Sequence, residues 1–142
     1  MMKDRYLFKA KRISDKEWIA GYLYRLSENN PPFIMLRKYG ESYEVDEHTI
    51  CQCTGLKDKN GNLIWENDFV KCVDENNDIE FTAIVKFGNP NWIYSWGYQL
   101  QHIKGDKPNL DILLWVGMKE TGVTCEVIGN KFNKFDNPEL RL

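Results

Sequence analysis

The sequence predicts an all-β protein, and three observations carry that prediction. Apolar and polar residues alternate with period two over many short stretches, most clearly from Ile79 to Phe87, as in strands with one buried face. Asn60-Gly61 stands between two apolar runs, the strongest short-range hairpin signal, because both residues tolerate positive φ. Aromatic residues make up 13% of the chain, and they favour strands over helices.

Taken in order, Arg5 to Arg12 alternates, with Tyr6, Phe8 and Ala10 on one face and Arg5, Lys9, Lys11 and Leu7 on the other. Ser14-Asp15-Lys16-Glu17 makes a turn. Trp18 to Leu26 is its partner strand, with Trp18, Ala20, Tyr22 and Tyr24 on a common side. Asn29-Asn30-Pro31-Pro32 breaks the chain, and Phe33 to Tyr39 forms a third strand closed by Gly40. A polar crossing, Glu44 to His48, leads into the hairpin around Asn60-Gly61. Trp65-Glu66-Asn67-Asp68 turns the chain again, and Phe69 to Val73 is a strand. Asp74 to Asp78 turns into the Ile79–Phe87 strand. Gly88-Asn89-Pro90-Asn91 returns it through Trp92 to Leu100, and Lys104 to Asn109 is a surface loop. Two readings fit 111–121: a short helix N-capped by Asp111, or a buried strand from Ile112 to Val116 with a helical turn near Lys119-Glu120-Thr121. The second is preferred. Val123 to Ile128 is the last strand, followed by an extended tail.

Composition bounds the rest. At 142 residues the chain makes one compact unit, with 42% hydrophobic and 28% charged residues, as in an ordinary globule. The net charge of −2 creates no general field for nucleic acid or membrane, although residues 1–12 carry a local +4. No segment is long and apolar enough to span a bilayer or act as a signal peptide. A cytosolic setting is therefore expected, with the four cysteines as thiols.

The stretch TGLKDKNG (Thr54 to Gly61), followed by Ile64-Trp65-Glu66-Asn67-Asp68-Phe69-Val70, resembles the signature of the YopX-like proteins of phages and prophages. Tyr43-Glu44-Val45-Asp46, Phe8 to Arg12, Trp18 to Tyr22, Glu126 to Asn130 and Asn137-Pro138-Glu139-Leu140 agree, so the resemblance covers nearly the whole chain. Asn67 stands where the family usually has Gly, and Asn is the next-best residue for a left-handed backbone. The resemblance implies a small, mainly β protein related to SH3-type barrels, of phage origin and acting in the host cytoplasm, with no established activity. Thr54, Gly55, Asn60, Gly61, Glu66, Asn67 and Asp68 are its fold-signature positions.

Candidate sites are few. Cys51 and Cys53 share a strand face, and with Cys72 and Cys125 they number enough for zinc, but C-x-C on a strand is the wrong spacing; buried small hydrophobes are the better reading. Asp46, Glu47 and His48 cluster, with His102 far along the chain, yet no nucleophile motif, Walker loop or dinucleotide fingerprint accompanies them. Glu66 and Asp68 suggest a carboxylate pair, but Asp68 is more economically an Asx-type cap for its own turn. No catalytic, metal or cofactor site is assigned. Two partner-binding candidates remain. One is the stripe Trp92, Tyr94, Trp96 and Tyr98, as sheet core or as an interface anchor. The other is the basic N-terminal face of Lys3, Arg5, Lys9 and Lys11, as an edge-strand guard or a phosphate contact.

The expectation is therefore an SH3-like barrel over 49–142, carrying the C-terminal strand and tail, with an N-terminal antiparallel β portion over 1–48 and at most short helical turns. The expected role is non-enzymatic, through contacts with a phage or host protein and with other copies of the chain as a homo-oligomer. The alternative is a nucleic-acid-binding module that uses the barrel and the basic N-terminal strand.

Overall fold

A computed structural model describes residues 6–36, 40–88, 97–116 and 121–133. Among them the protein is all-β, with ten strands in two antiparallel sheets and no α-helix. The chain divides into two compact units, Met1–Gly55 and Leu56–Leu142, each with its own core.

In the first unit, β1 (Phe8–Lys11), β2 (Trp18–Tyr24), β3 (Phe33–Met35), β4 (Ser42–Glu44) and β5 (Cys51–Lys57) pair in the order β4-β3-β2-β1-β5, β5 running on past Gly55. The register Lys11↔Trp18 and Phe8↔Gly21 follows from the tight turn at residues 12–17. There the Arg12 N–H donates to the Glu17 carbonyl at 2.9 Å, and Lys16 takes a left-handed φ of 62°. Pairing Leu23↔Ile34 and Tyr24↔Phe33 sends alternate residues to opposite faces. One face holds Ala10, Ile34 and Val45, fully or almost fully buried, with Phe8, Ile19, Leu23 and Ile50 around them. Sequence reading missed β4, because Ser42-Tyr43-Glu44 has no apolar alternation; it is a strand because it pairs with β3 through Ile34↔Tyr43. The third strand also stops at Met35, earlier than expected. The polar crossing contains a short 3₁₀ turn, Glu47–Thr49, capped by Asp46, whose Oδ1 accepts from the His48 N–H at 3.0 Å.

In the second unit, β6 (Leu63–Trp65) precedes a four-stranded sheet ordered β10-β7-β8-β9, from β7 (Asp68–Asp74), β8 (Ile79–Gly88), β9 (Gly97–Gly105) and β10 (Val123–Asn130). Val70, Cys72, Phe81, Ala83, Val85, Leu100 and Cys125 form its covered face, with Ile64, Leu110, Ile112, Trp115 and Val116 packed over them. Phe81 meets Trp115 edge to face at 4.9 Å. The sheet is open, with β10 and β9 at its edges, and is not closed into a barrel. The Ile112–Val116 strand is corrected. Ile112–Leu114 is a 3₁₀ turn, because the Asp111 carboxylate accepts from the Leu113 N–H at 3.0 Å and caps it; Lys119 and Glu120 lie outside the described residues. The returning strand β9 runs to Gly105, beyond the expected end at Leu100. Gly105 sits at φ 91° with the Glu80 carbonyl oxygen 2.5 Å from where a Cβ would stand, so only glycine fits.

Gly21 is held just as closely, its absent Cβ pointing into the Met35 carbonyl across the β2–β3 pair. Gly21→Ala should destabilise the protein by about 2–4 kcal/mol. Urea unfolding checks this; a midpoint within error of wild type refutes the packing assigned here.

Candidate functional site

Five of the signature positions, Asn60, Gly61, Glu66, Asn67 and Asp68, fall in two carboxylate-capped turns. In the Lys57–Asn62 turn, Asp58 Oδ1 accepts from the N–H groups of Asn60 and Asn62, both at 2.9 Å, and its Oδ2 accepts from the Val127 N–H on β10 at 2.9 Å. Gly61 has φ 83°, but Asn60 does not adopt positive φ. The connection, residues 58–62, is a five-residue loop organised by a side chain, rather than the two-residue primed turn implied by Asn-Gly. Burial works against the charged form of Asp58, but the amides of Val127, Asn62 and Asn60 outweigh it and hold the carboxyl below its usual value.

The second turn is built around Asp68, 2% exposed. Its Oδ2 accepts from the Trp65 N–H at 2.8 Å, the Asx-type cap expected, and its Oδ1 accepts from the side-chain amide of Asn130 at 2.9 Å. Asn67 adopts φ 71°, the left-handed conformation its position demands, and its Oδ1 accepts from Lys86 Nζ at 2.9 Å. Glu66 is half-buried beside them. Thr54 and Gly55 lie in β5, where the Gly55 N–H donates to Cys53 Sγ at 3.4 Å. With their oxygens committed to amides, Asp58 and Asp68 serve architecture rather than acid–base chemistry.

The histidines gain no catalytic partner among the described residues. His48 lines an open cleft of about 450 Å³ with Arg25, Asn30, Pro32 and Asp46, but Asp46 engages its backbone rather than its ring. Glu47 pairs with Arg25 at 2.8 Å. His102 Nε2 lies 3.0 Å from the Gly105 carbonyl oxygen. All four cysteines are buried and none is in a disulfide, and no cluster of three or more metal-ligating side chains exists among the described residues.

The partner-binding candidates fare unevenly. Trp92, Tyr94, Trp96, Lys3 and Arg5 lie outside the described residues. Tyr98 is half-buried against Phe87, ring centroids 5.1 Å apart, at the margin of the second unit's core. Lys9 and Lys11 hold the informative positions. Their ammonium groups stand 4.9 and 5.5 Å from the centre of the Trp18 ring. By register they share a sheet face with Ala20, Tyr22, Tyr24, Phe33 and Met35, the face opposite the first unit's buried cluster. Tyr24 and Phe33 stack at 5.6 Å. Every one of these large side chains is half-exposed and Ala20 is exposed. Sequence reading placed Trp18, Ala20, Tyr22 and Tyr24 on one side but did not join them to the lysines. The missing signal is the turn length at 12–17, which sets Lys11 opposite Trp18.

Fold and site together define an all-β protein of two antiparallel sheets, with carboxylate-capped turns and one aromatic, basic sheet face. A family model described as YopX protein matches residues 5–140, and the chain belongs to that family. No curated protein and no solved structure matches it. Among the described residues no helix is long and apolar enough to cross a membrane.

Asp58 yields a prediction with a definite sign. A carboxyl held below its unfolded value of about 3.9 contributes stability fully present above that pH, and lost as pH falls through the folded value. Asp58→Asn places an NH₂ or leaves no acceptor against one of three amides. It should cost about 2–3 kcal/mol at pH 7, a difference that shrinks as acid is added below pH 4. Unfolding midpoints measured from pH 7 to pH 2 decide this; curves that stay parallel throughout refute it. Asp68→Ala, which strips the partner from a buried backbone N–H and a buried amide, should cost about 2–4 kcal/mol in the same assay.

Proposed function

We propose that this protein is a non-enzymatic phage or prophage accessory protein that docks a phage or host protein on the aromatic face of its first unit. The carrying observation is that face. Trp18, Tyr22, Tyr24, Phe33 and Met35 are the residue types that concentrate at the centres of protein interfaces, and here they sit half-exposed on the side of the sheet away from the Ala10–Ile34–Val45 cluster. The row from Trp18 to Tyr24 extends about 20 Å along β2, enough to anchor an ordinary interface. On this reading a second copy of the chain is one partner, giving a homo-oligomer. Action in the host cytoplasm follows from the phage reading and suits four unbridged thiols. The same reading treats 49–142 as an SH3-like barrel variant. Support comes from short antiparallel strands with β6 and the Ile112–Val116 segment laid over one face.

A second reading is favoured by one observation, the two lysines flanking Trp18. Cations beside stacked aromatics are the elements of a single-stranded nucleic-acid platform. The net charge of −2 weighs against it.

One experiment separates them. A photo-crosslinking amino acid at Ala20, in the middle of the face, is compared in infected cells with the same group at the exposed Leu113. Ala20-specific protein adducts, reduced about tenfold by Trp18→Ala with Tyr24→Ala, are the expected result. Adducts to DNA or RNA that are lost in Lys9→Glu with Lys11→Glu establish the second reading instead. Equal, sparse labelling from both sites overturns the assignment of the face.

A further inference from the structure

Cys72 and Cys125 are directly opposite each other in the β7–β10 pair. The hydrogen bonds around them fix the kind of pair. The Cys125 carbonyl accepts from the Lys59 N–H at 2.9 Å, and the Val127 N–H donates to Asp58, so these β10 groups point away from β7. On the other side of Cys125, the Glu75 N–H donates to the Gly122 carbonyl at 2.9 Å, as expected if odd positions of β7 and even positions of β10 exchange the ladder bonds. Cys72↔Cys125 is thus a non-hydrogen-bonded pair, the closer of the two antiparallel kinds, with Cα atoms about 4.5 Å apart. That separation falls inside the span a disulfide bridges, about 4.4–6.8 Å. Both side chains lie in the same core cluster. Cys51 and Cys53 lack this geometry, because i and i+2 on one strand stand about 6.7 Å apart with parallel side chains.

The two residues differ in access. Cys125 borders a cavity of about 180 Å³, also lined by Lys57, Lys59, Trp115 and Val123. Cys72 does not border it. Hydrogen bonding to Cys125, together with burial, pushes the Cys72 thiol far above the ordinary range.

We propose that Cys72 and Cys125 form a redox-modification site: a low-molecular-weight disulfide oxidises them to a cross-strand bridge, with Cys125 reacting first. The Cys125 thiolate attacks one sulfur of the small disulfide, the S–S bond breaks, and one thiol leaves with the proton that Cys125 gave up. Cys72 then gives up its proton and attacks the Cys125 sulfur of the mixed disulfide, expelling the second thiol. Two protein thiols are oxidised, one small disulfide is reduced to two thiols, and both protons leave with them. The bridge pins edge strand β10 to β7 and closes a long loop, which stabilises the oxidised form.

The test treats the native full chain with 2-hydroxyethyl disulfide, quenches in acid, alkylates the denatured protein and maps peptides by mass. Wild type should lose two of its four alkylatable thiols to a Cys72–Cys125 bridge. Its thermal midpoint should rise by about 5 °C or more over the reduced form. Cys72→Ser should stop at a mercaptoethanol adduct on Cys125, whereas Cys125→Ser should leave Cys72 unmodified. Four thiols still alkylatable in wild type, a bridge mapped to Cys51–Cys53, an adduct on Cys72 in Cys125→Ser, or a midpoint at or below the reduced one each overturns the proposal. The wild-type measurements need no variant to fold.

Discussion

The carboxylate of Asp68 is the constraint on which the ends of the second unit's sheet depend. It sits at the start of β7, where the chain leaves the Trp65–Asp68 turn, and it satisfies a turn amide with one oxygen and the Asn130 side chain with the other. Asn130 in turn accepts from the Phe132 N–H at 2.9 Å, and the Asn67 carbonyl accepts from the Lys131 N–H at 2.9 Å. A buried carboxylate is tolerable only when its oxygens are engaged in this way. The arrangement fixes where β7 begins and where β10 ends, and the register Asn130↔Asp68 records that coupling. Asp58 repeats the device at the preceding turn, tying its loop to Val127. Between these two ties β10 carries a bulge at Val127/Gly129, so one extra residue is absorbed where the ties would otherwise fall out of step.

The first unit depends on parity in a simpler way. Its turn at 12–17 sets Lys11 against Trp18, and from that one pairing every residue of β1, β2 and β3 is assigned to a face. Ala10, Ile34, Ile19 and Leu23, with Phe8, fall on one side and make a core. Trp18, Tyr22, Tyr24, Phe33 and the lysines fall on the other. A one-residue slip would exchange the two sets and put Lys9 and Lys11 among Ile34 and Val45, so burial holds the register.

Much of this was legible in the residues, and the misses have a common cause. The strand from Ile79 to Phe87, the turn at Asp74–Asp78 and the capping role of Asp68 could be read because each is a local signal, although Thr82 and Ile84 are buried as well as the expected face and Phe87 is exposed; the left-handed Asn67 was reached through the family resemblance. Strand β4 was not legible: Ser42-Tyr43-Glu44 has no pattern of its own and is a strand only because Ile34 stands opposite Tyr43. The Asp111 cap was visible, but the apolar run Ile112 to Val116 looked equally like a buried strand, since short apolar runs carry no period that separates the two. The Asn60-Gly61 turn was located correctly but given the wrong geometry, because the distant amide of Val127 draws Asp58 into organising a wider loop. The Lys9–Trp18–Lys11 arrangement required the length of a turn as well as the parity of two strands. The opposition of Cys72 and Cys125 arises from pairing over a separation of more than fifty residues, which no local pattern reports.

The bonds that Lys59 and Asp58 make to Cys125 and Val127 have a counterpart across the sheet. There the Leu100 N–H of β9 donates to the Leu110 carbonyl at 3.1 Å, and Gln99 bridges to Asp111. Both outer strands of the four-stranded sheet therefore have backbone groups at mid-length already occupied by their own chain. Among the described residues, an extended peptide pairing along the middle of either outer strand would have to displace these bonds, which works against fibre-like growth by strand addition.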